Sequence, residues 1–333
     1  MGALRGHIAI RAFGLVLAAA ASVSIGYAAP VPRTRGELIH HADGLLQPQY
    51  VRSTDGDHVL VISDSRSGRA DAAMASNFEA VYRVLQTVLH APPDQAAPDS
   101  GKVRAYLFQA ESQYRAFEKY ADPRAAGRSA GMYFTGYGIL AFHLESYSQP
   151  WVRHVMLHEC THAFLDQRIR LTKHPIPVWL QEGLAEYIGL SLVSEGQIHV
   201  GVFTTKTRHD SFQGMLIIPS DASEQLSRGR KAVRKKLPLG VLLTTDPDSI
   251  EGQGPLLDYY AACWLLVNYL HDGRQGWAEN QFPALVREIG AGHSDREALE
   301  TVYGVTADEL EAGLIRYTKD FKLVRGWSAP DED

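Results

Sequence analysis

The spacing of apolar residues divides the chain into two stretches of different character. In the first, HVLVISD (58–64) has strand composition and stops at Asp64-Ser65-Arg66-Ser67-Gly68, a run of turn formers. ADAAMASNFEAVYRVLQTVL (70–89) then places apolar residues at helical spacing and runs into APPDQAAPDSG, which cannot continue a helix. KVRAYLFQ (102–109) predicts a second strand and ESQYRAFEKY (111–120) a second helix. GMYFTGYGILAFH (131–143) reads as a strand pair, or one bent strand, turning at glycine. From Trp151 the pattern becomes mostly helical. One helix opens at Pro150-Trp151 and runs to about Ile169, and Pro175 and Pro177 lead into VWLQEGLAEYIGLSLV (178–193), where proline is well placed to start a second. LLDYYAACWLLVNYLHDG (256–273) has the composition of a buried helix. Three more helices follow over 281–292, 295–304 and 306–321, the last opened by the capping-box pair Thr306 and Glu309. Between them, 205–255 has few periodic signals and many turn residues, and is expected to be a linker with a short helix or two.

Composition changes this picture little. The 333 residues are 45% hydrophobic and 21% charged, ordinary globular material able to bury a real core. The N-terminus adds more. Arg5 and Arg11 precede an uncharged Ala/Leu/Val stretch, then Gly26-Tyr27-Ala28 and Ala29 ahead of Pro30 and Pro32, the three-part layout of a secretory signal peptide cleaved after Ala28 or Ala29. An uncleaved membrane anchor is the competing reading of Ala12 to Ala29, but its small residues and small-residue exit favour cleavage. The expected location is therefore outside the cytoplasm, periplasmic or secreted, with no stable membrane insertion once the signal is removed. Net charge is −5, and nucleic acid is not an expected partner: the one basic run, RGRKAVRKK (228–236), lacks interleaved aromatics and reads as a solvated face or loop. Two cysteines, Cys160 and Cys263, are too few for a disulfide scaffold, and free buried thiols are expected over the Cys160–Cys263 bridge that export would permit.

Candidate chemistry centres on VMLHECTHAFL (155–165), where one glutamate and two histidines interrupt an apolar run. Buried ionisable groups need partners. On a helix His158 and His162 share a face and can offer two imidazoles to one ion, while Glu159, about 100° around, reaches a bound water. A catalytic zinc takes three protein ligands and keeps a position for water, so a third donor should follow on a returning helix. Glu182 meets that need, flanked by Leu180, Leu184, Ala185 and Ile188, and Glu186, one turn on, is placed to hydrogen-bond a ligand imidazole. One Zn2+ is the expected cofactor. His154, one turn before His158, is expected to be structural or to support a ligand rather than act as a fourth one.

With these residues in place, the chain resembles the gluzincin metallopeptidases, and most closely the peptidase MA-like group of exported proteins. In that group a strand-helix unit leads into HExTH and then W-L-x-E-G-x-A-E-Y; here these are His158 to His162 and Trp179 to Tyr187. The second motif is also similar to the W-L-N-E-G-F-A stretch of aminopeptidase N-like enzymes, with Gln181 in place of asparagine. Their glycine-rich motif for holding a free amine is not found. The resemblance implies an oxyanion donor from a tyrosine opening a downstream helix, a role falling to Tyr260, with Tyr259 as the alternative.

The fold class expected is α+β, a small mixed α/β N-terminal unit leading into a mostly helical, zincin-like catalytic region. Its division is a signal peptide (1–28), a mixed α/β part (29–149), the zinc-binding helices (150–204), a linker (205–255) and a helical C-terminal part (256–333). The function expected is that of a zinc metallohydrolase acting on a peptide or protein, with Glu159 as general base. Two alternatives stand beside it: a non-catalytic module stabilised by zinc, and a hydrolase of cell-wall amides. A purely structural zinc would have no use for Glu159.

Overall fold

A computed structural model of the chain describes residues 33–66, 68–91, 101–123, 129–146, 150–169, 174–194, 197–203, 210–212, 215–217, 222–235, 237–271 and 277–323. The expected signal peptide lies outside them. The fold is mixed, a five-stranded sheet with helices on both faces followed by a larger helical part, in keeping with an α+β class.

The sheet is built from β1 (Arg52–Asp55), β2 (Val59–Ser63), β3 (Val103–Phe108), β4 (Gly131–Phe134) and β5 (Ile139–His143), in the order β1-β2-β3-β5-β4. Its three central strands are parallel, and β1 and β4 close the two edges antiparallel. Alternation sorts the side chains onto two faces. Val59, Val61, Val103, Ala105, Leu107, Leu140 and Phe142 belong to the main core with α2 (Gly68–Val88) and α4 (Pro150–Arg168). Ile62, Tyr106, Phe108, Ile139 and Ala141 form a second cluster under α1 (Arg35–Leu45) and α3 (Glu111–Ala121). Residues 131–143, expected as a strand pair or a bent strand, form the pair β4 and β5.

Beyond the sheet, α5 (Val178–Gly189) packs between α4 and α8 (Gln253–His271). Gly183 makes that contact possible: a Cβ there would lie 2.7 Å from the Cys263 carbonyl oxygen and 2.5 Å from Val267 Cγ2. The helix expected over 178–193 ends at Gly189, and Leu192–Ser194 instead pairs as a strand, β6, with β7 (Gln197–His199). A short pair, β8 (Asp210–Phe212) and β9 (Met215–Ile217), follows. The interval 205–255, expected as a linker with a short helix or two, holds two helices among its described residues. It contains α6 (Ser223–Lys235), which packs along α8 with Leu226, Ala232 and Val233 buried, and α7 (Leu239–Thr244), with Leu239 and Leu242 buried. Residues 228–235 of the basic run lie on α6, where Arg230 donates to the carbonyls of Thr318 and Phe321 and Arg228 pairs with Glu224 and Asp258. Three helices, α9 (Gln281–Ala291), α10 (Asp295–Tyr303) and α11 (Ala307–Asp320), complete the C-terminal part, with the Thr306–Glu309 capping box formed as expected. No helix among the described residues is long and apolar enough to cross a membrane.

Candidate metal centre

Helix α4 is apolar on nearly every side, with Val155, Met156, Leu157, Cys160, Ala163, Phe164 and Leu165 all buried. Its histidines are therefore carried into the interior with the helix. His158 is 1% exposed, His162 4%, Glu159 0% and Glu182 1%. The i, i+4 spacing sets the two imidazoles side by side, with Nε2 atoms 3.1 Å apart, and α5 presents Glu182 Oε2 at 3.3 Å from His158 Nε2 and 3.6 Å from His162 Nε2. Tetrahedral zinc at 2.0–2.1 Å from its ligands would have ligand-to-ligand edges of about 3.3–3.4 Å. The three donor atoms therefore fit such an ion. Glu182 Oε2 also has no hydrogen-bond donor of its own, although it is fully buried.

Behind these three residues lies a second layer. Glu186 places Oε1 3.2 Å from His158 Nδ1 and Oε2 3.2 Å from His154 Nε2, and that second oxygen accepts a 2.9 Å hydrogen bond from Gln225 Nε2 on α6. A carboxylate facing Nδ1 favours the His158 orientation in which Nε2 points to His162 and Glu182, the kind of support given to metal-ligating histidines. His154 accordingly sits as expected, one turn back and against Glu186 rather than Glu182.

Charge follows the same arrangement. Burial alone would raise the pKa of Glu182, but the imidazoles of His162 and His158 outweigh it and hold the carboxyl at about 2. Glu186 is driven below the usual carboxylate range in the same way, burial being overcome by His154 and His158. For His158, burial disfavours the imidazolium, yet the two glutamates raise its pKa well above the ordinary value. The buried cluster favours positive charge on His158.

Glu159 lies to one side. Its Oε2 accepts the backbone N–H of Tyr133 on strand β4 at 2.8 Å, while Oε1 is buried without a partner. Burial raises its pKa against the pull of His158, His162 and the Tyr133 amide. From α8, Tyr260 brings its ring edge-on to His158, with centroids 6.5 Å apart. Tyr259 turns its hydroxyl to the Thr245 carbonyl at 3.4 Å, so of the two tyrosines Tyr260 is the one at the site. Cys160 and Cys263 are free and buried.

All the residues expected at the site are thus brought together. Two contributors were not anticipated: Gln225, which lies in the expected linker and left no signal, and the Tyr133 amide, a backbone donor that no side chain identifies. No family model matches the chain, and no curated protein matches it.

Proposed function

We propose that the chain is an exported, zinc-dependent metallohydrolase with a zincin-like catalytic region, a gluzincin-type peptidase acting on a peptide or protein. The observation that carries this reading is the convergence of His158 Nε2, His162 Nε2 and Glu182 Oε2 within 3.1–3.6 Å in a buried pocket. Two imidazoles and a carboxylate converging in the interior need positive charge among them, which a proton on His158 supplies in the free protein and a bound cation would supply in its place.

Zinc bound there would supply a water of lowered pKa and polarise the scissile carbonyl. The residues of the chain do the rest. Glu159, anchored by one oxygen and open at the other, takes the proton from the attacking water and passes it to the leaving amine. Burial raises its pKa and so makes it a stronger base than an exposed carboxylate. Glu186, backed by His154 and Gln225, keeps His158 in one orientation. Tyr260 offers a hydroxyl to the oxygen that becomes negative. A peptide or protein is the substrate class, and the N-terminal layout supports export.

The test is zinc content by mass spectrometry together with cleavage of a peptide library, each with and without a chelator. Stoichiometric zinc and cleavage abolished by chelation and restored by zinc are expected. A protein that takes up zinc but cleaves nothing in the library, nor denatured protein, would remove the peptidase assignment.

A further inference from the structure

A second imidazole–carboxylate group lies on the other face of the sheet. Glu111 opens α3 just after β3, while His143 ends β5 and Glu145 follows in the next turn, so the cluster forms where two adjacent parallel strands end. The last registered pair of that ladder is Phe108 with His143. A ring nitrogen of His143 and carboxylate oxygens of Glu111 and Glu145 all lie within 4.8 Å of one another. His143 is only 2% exposed, yet its Nδ1 has no hydrogen-bond partner. A buried ring with an unused nitrogen beside two carboxylates is an incomplete polar arrangement.

We propose that Glu111, His143 and Glu145 form a second divalent-cation site that takes Zn2+. The donor set of one imidazole and two carboxylates matches that ion, since zinc takes both His nitrogen and Asp or Glu oxygen. The local charge permits it. Arg115 neutralises part of Glu111 at 2.8 Å, and Glu145 Oε2 already accepts the Glu111 backbone N–H at 3.1 Å, which offsets the positive end of α3. One carboxylate charge remains for an ion. Glu145 is exposed, so the ion exchanges with solvent and binds less tightly than at the α4–α5 centre.

Its role is to brace α3 against β5. That helix holds the start of β4: the Glu118 carboxylate accepts the Ser129 hydroxyl at 2.8 Å, two residues before Gly131. Strand β4 in turn supplies the amide that anchors Glu159.

Zinc stoichiometry after dialysis against a zinc buffer in the micromolar range tests the site, using the full chain, Glu145→Gln, Glu111→Gln and Glu182→Ala. The amides keep the shape of the side chains, and a carboxamide at position 145 can still accept the Glu111 N–H, so thermal melts should show folded variants. Two ions are expected for the wild type, and one for each single variant. A wild type that binds one ion, lost in Glu182→Ala and kept in both amide variants, overturns the second site and leaves the α4–α5 centre standing. One ion kept in Glu182→Ala and lost in both amide variants supports the second site and sinks the first.

Discussion

Glu118 and Glu182 are both glutamates on helices, 0% and 1% exposed, yet the protein treats them in opposite ways. Around Glu118 the chain supplies every donor needed. Ser129 Oγ lies at 2.8 Å, Arg115 Nη1 at 2.9 Å and Tyr114 Oη at 3.3 Å, and the carboxylate is paired within its own network. Around Glu182 the nearest groups are two imidazole nitrogens at 3.3 and 3.6 Å, and the facing oxygen has no donor. An isolated buried carboxylate costs several kcal/mol. The chain folds an arginine and a serine onto one such group and sets the other against two imidazoles, the arrangement on which the proposed cation site rests.

The largest effect in this comparison belongs to the group that is neither ligand nor network. Glu159→Gln keeps the shape of the side chain and removes the base, so hydrolysis should fall by about 10²- to 10⁴-fold while zinc content is unchanged. Full activity in that variant would remove the assigned role.

Next come the two glutamates of α5. Glu182→Ala deletes one of three ligands and should weaken zinc binding by more than the roughly 10- to 100-fold expected for Glu186→Ala, which removes only the support of His158. Competition with a chromophoric chelator measures both. If Glu186→Ala costs more, their roles are reversed.

Glu118→Ala cuts the other way. It leaves Arg115 and Ser129 without their carboxylate and should cost about 2–3 kcal/mol of stability, somewhat less than a fully buried pair because Arg115 is partly exposed. Zinc affinity at the α4–α5 centre should hardly change. Chemical denaturation read beside metal binding separates the two, and a large loss of zinc affinity at unchanged stability would break the contrast between the two glutamates.

What could be read from the sequence follows from how local each signal is. His158 and His162 are four residues apart on one helix, and Glu182 and Glu186 repeat that spacing on the next, so each pair is set by helix geometry alone. Helix α1 was not anticipated because it buries only Leu38 and Ala42, although Thr34 and Glu37 form the capping box that starts it. Strand β1 is polar and mostly exposed, and gains its structure from pairing with β2. Helix α6 hides its core stripe among basic residues. Leu226, Gly229, Ala232 and Val233 are mostly small, and a Cβ at Gly229 would meet the Ala261 carbonyl oxygen at 2.6 Å. Close packing of small residues leaves little trace in hydrophobic periodicity, which is why the interval resembled a linker.

The smallest effect concerns the residue that this helix brings to the centre. Gln225 is half-buried and donates to Glu186 Oε2, an oxygen that also faces His154. Hydrogen bonds to charged groups contribute about 1.5–3 kcal/mol when buried, and partial exposure lets water replace some of that. Gln225→Leu should therefore weaken zinc binding by only about three- to tenfold. Gln225→Glu should do more, because it sets a second carboxylate against Glu186 where a donor stood. The decisive arm is the double variant. If Gln225 acts through Glu186, then Gln225→Leu should add almost nothing in a Glu186→Ala background. An equal loss in both backgrounds would mean that α6 supports the centre through the general packing of α8 and not through this hydrogen bond.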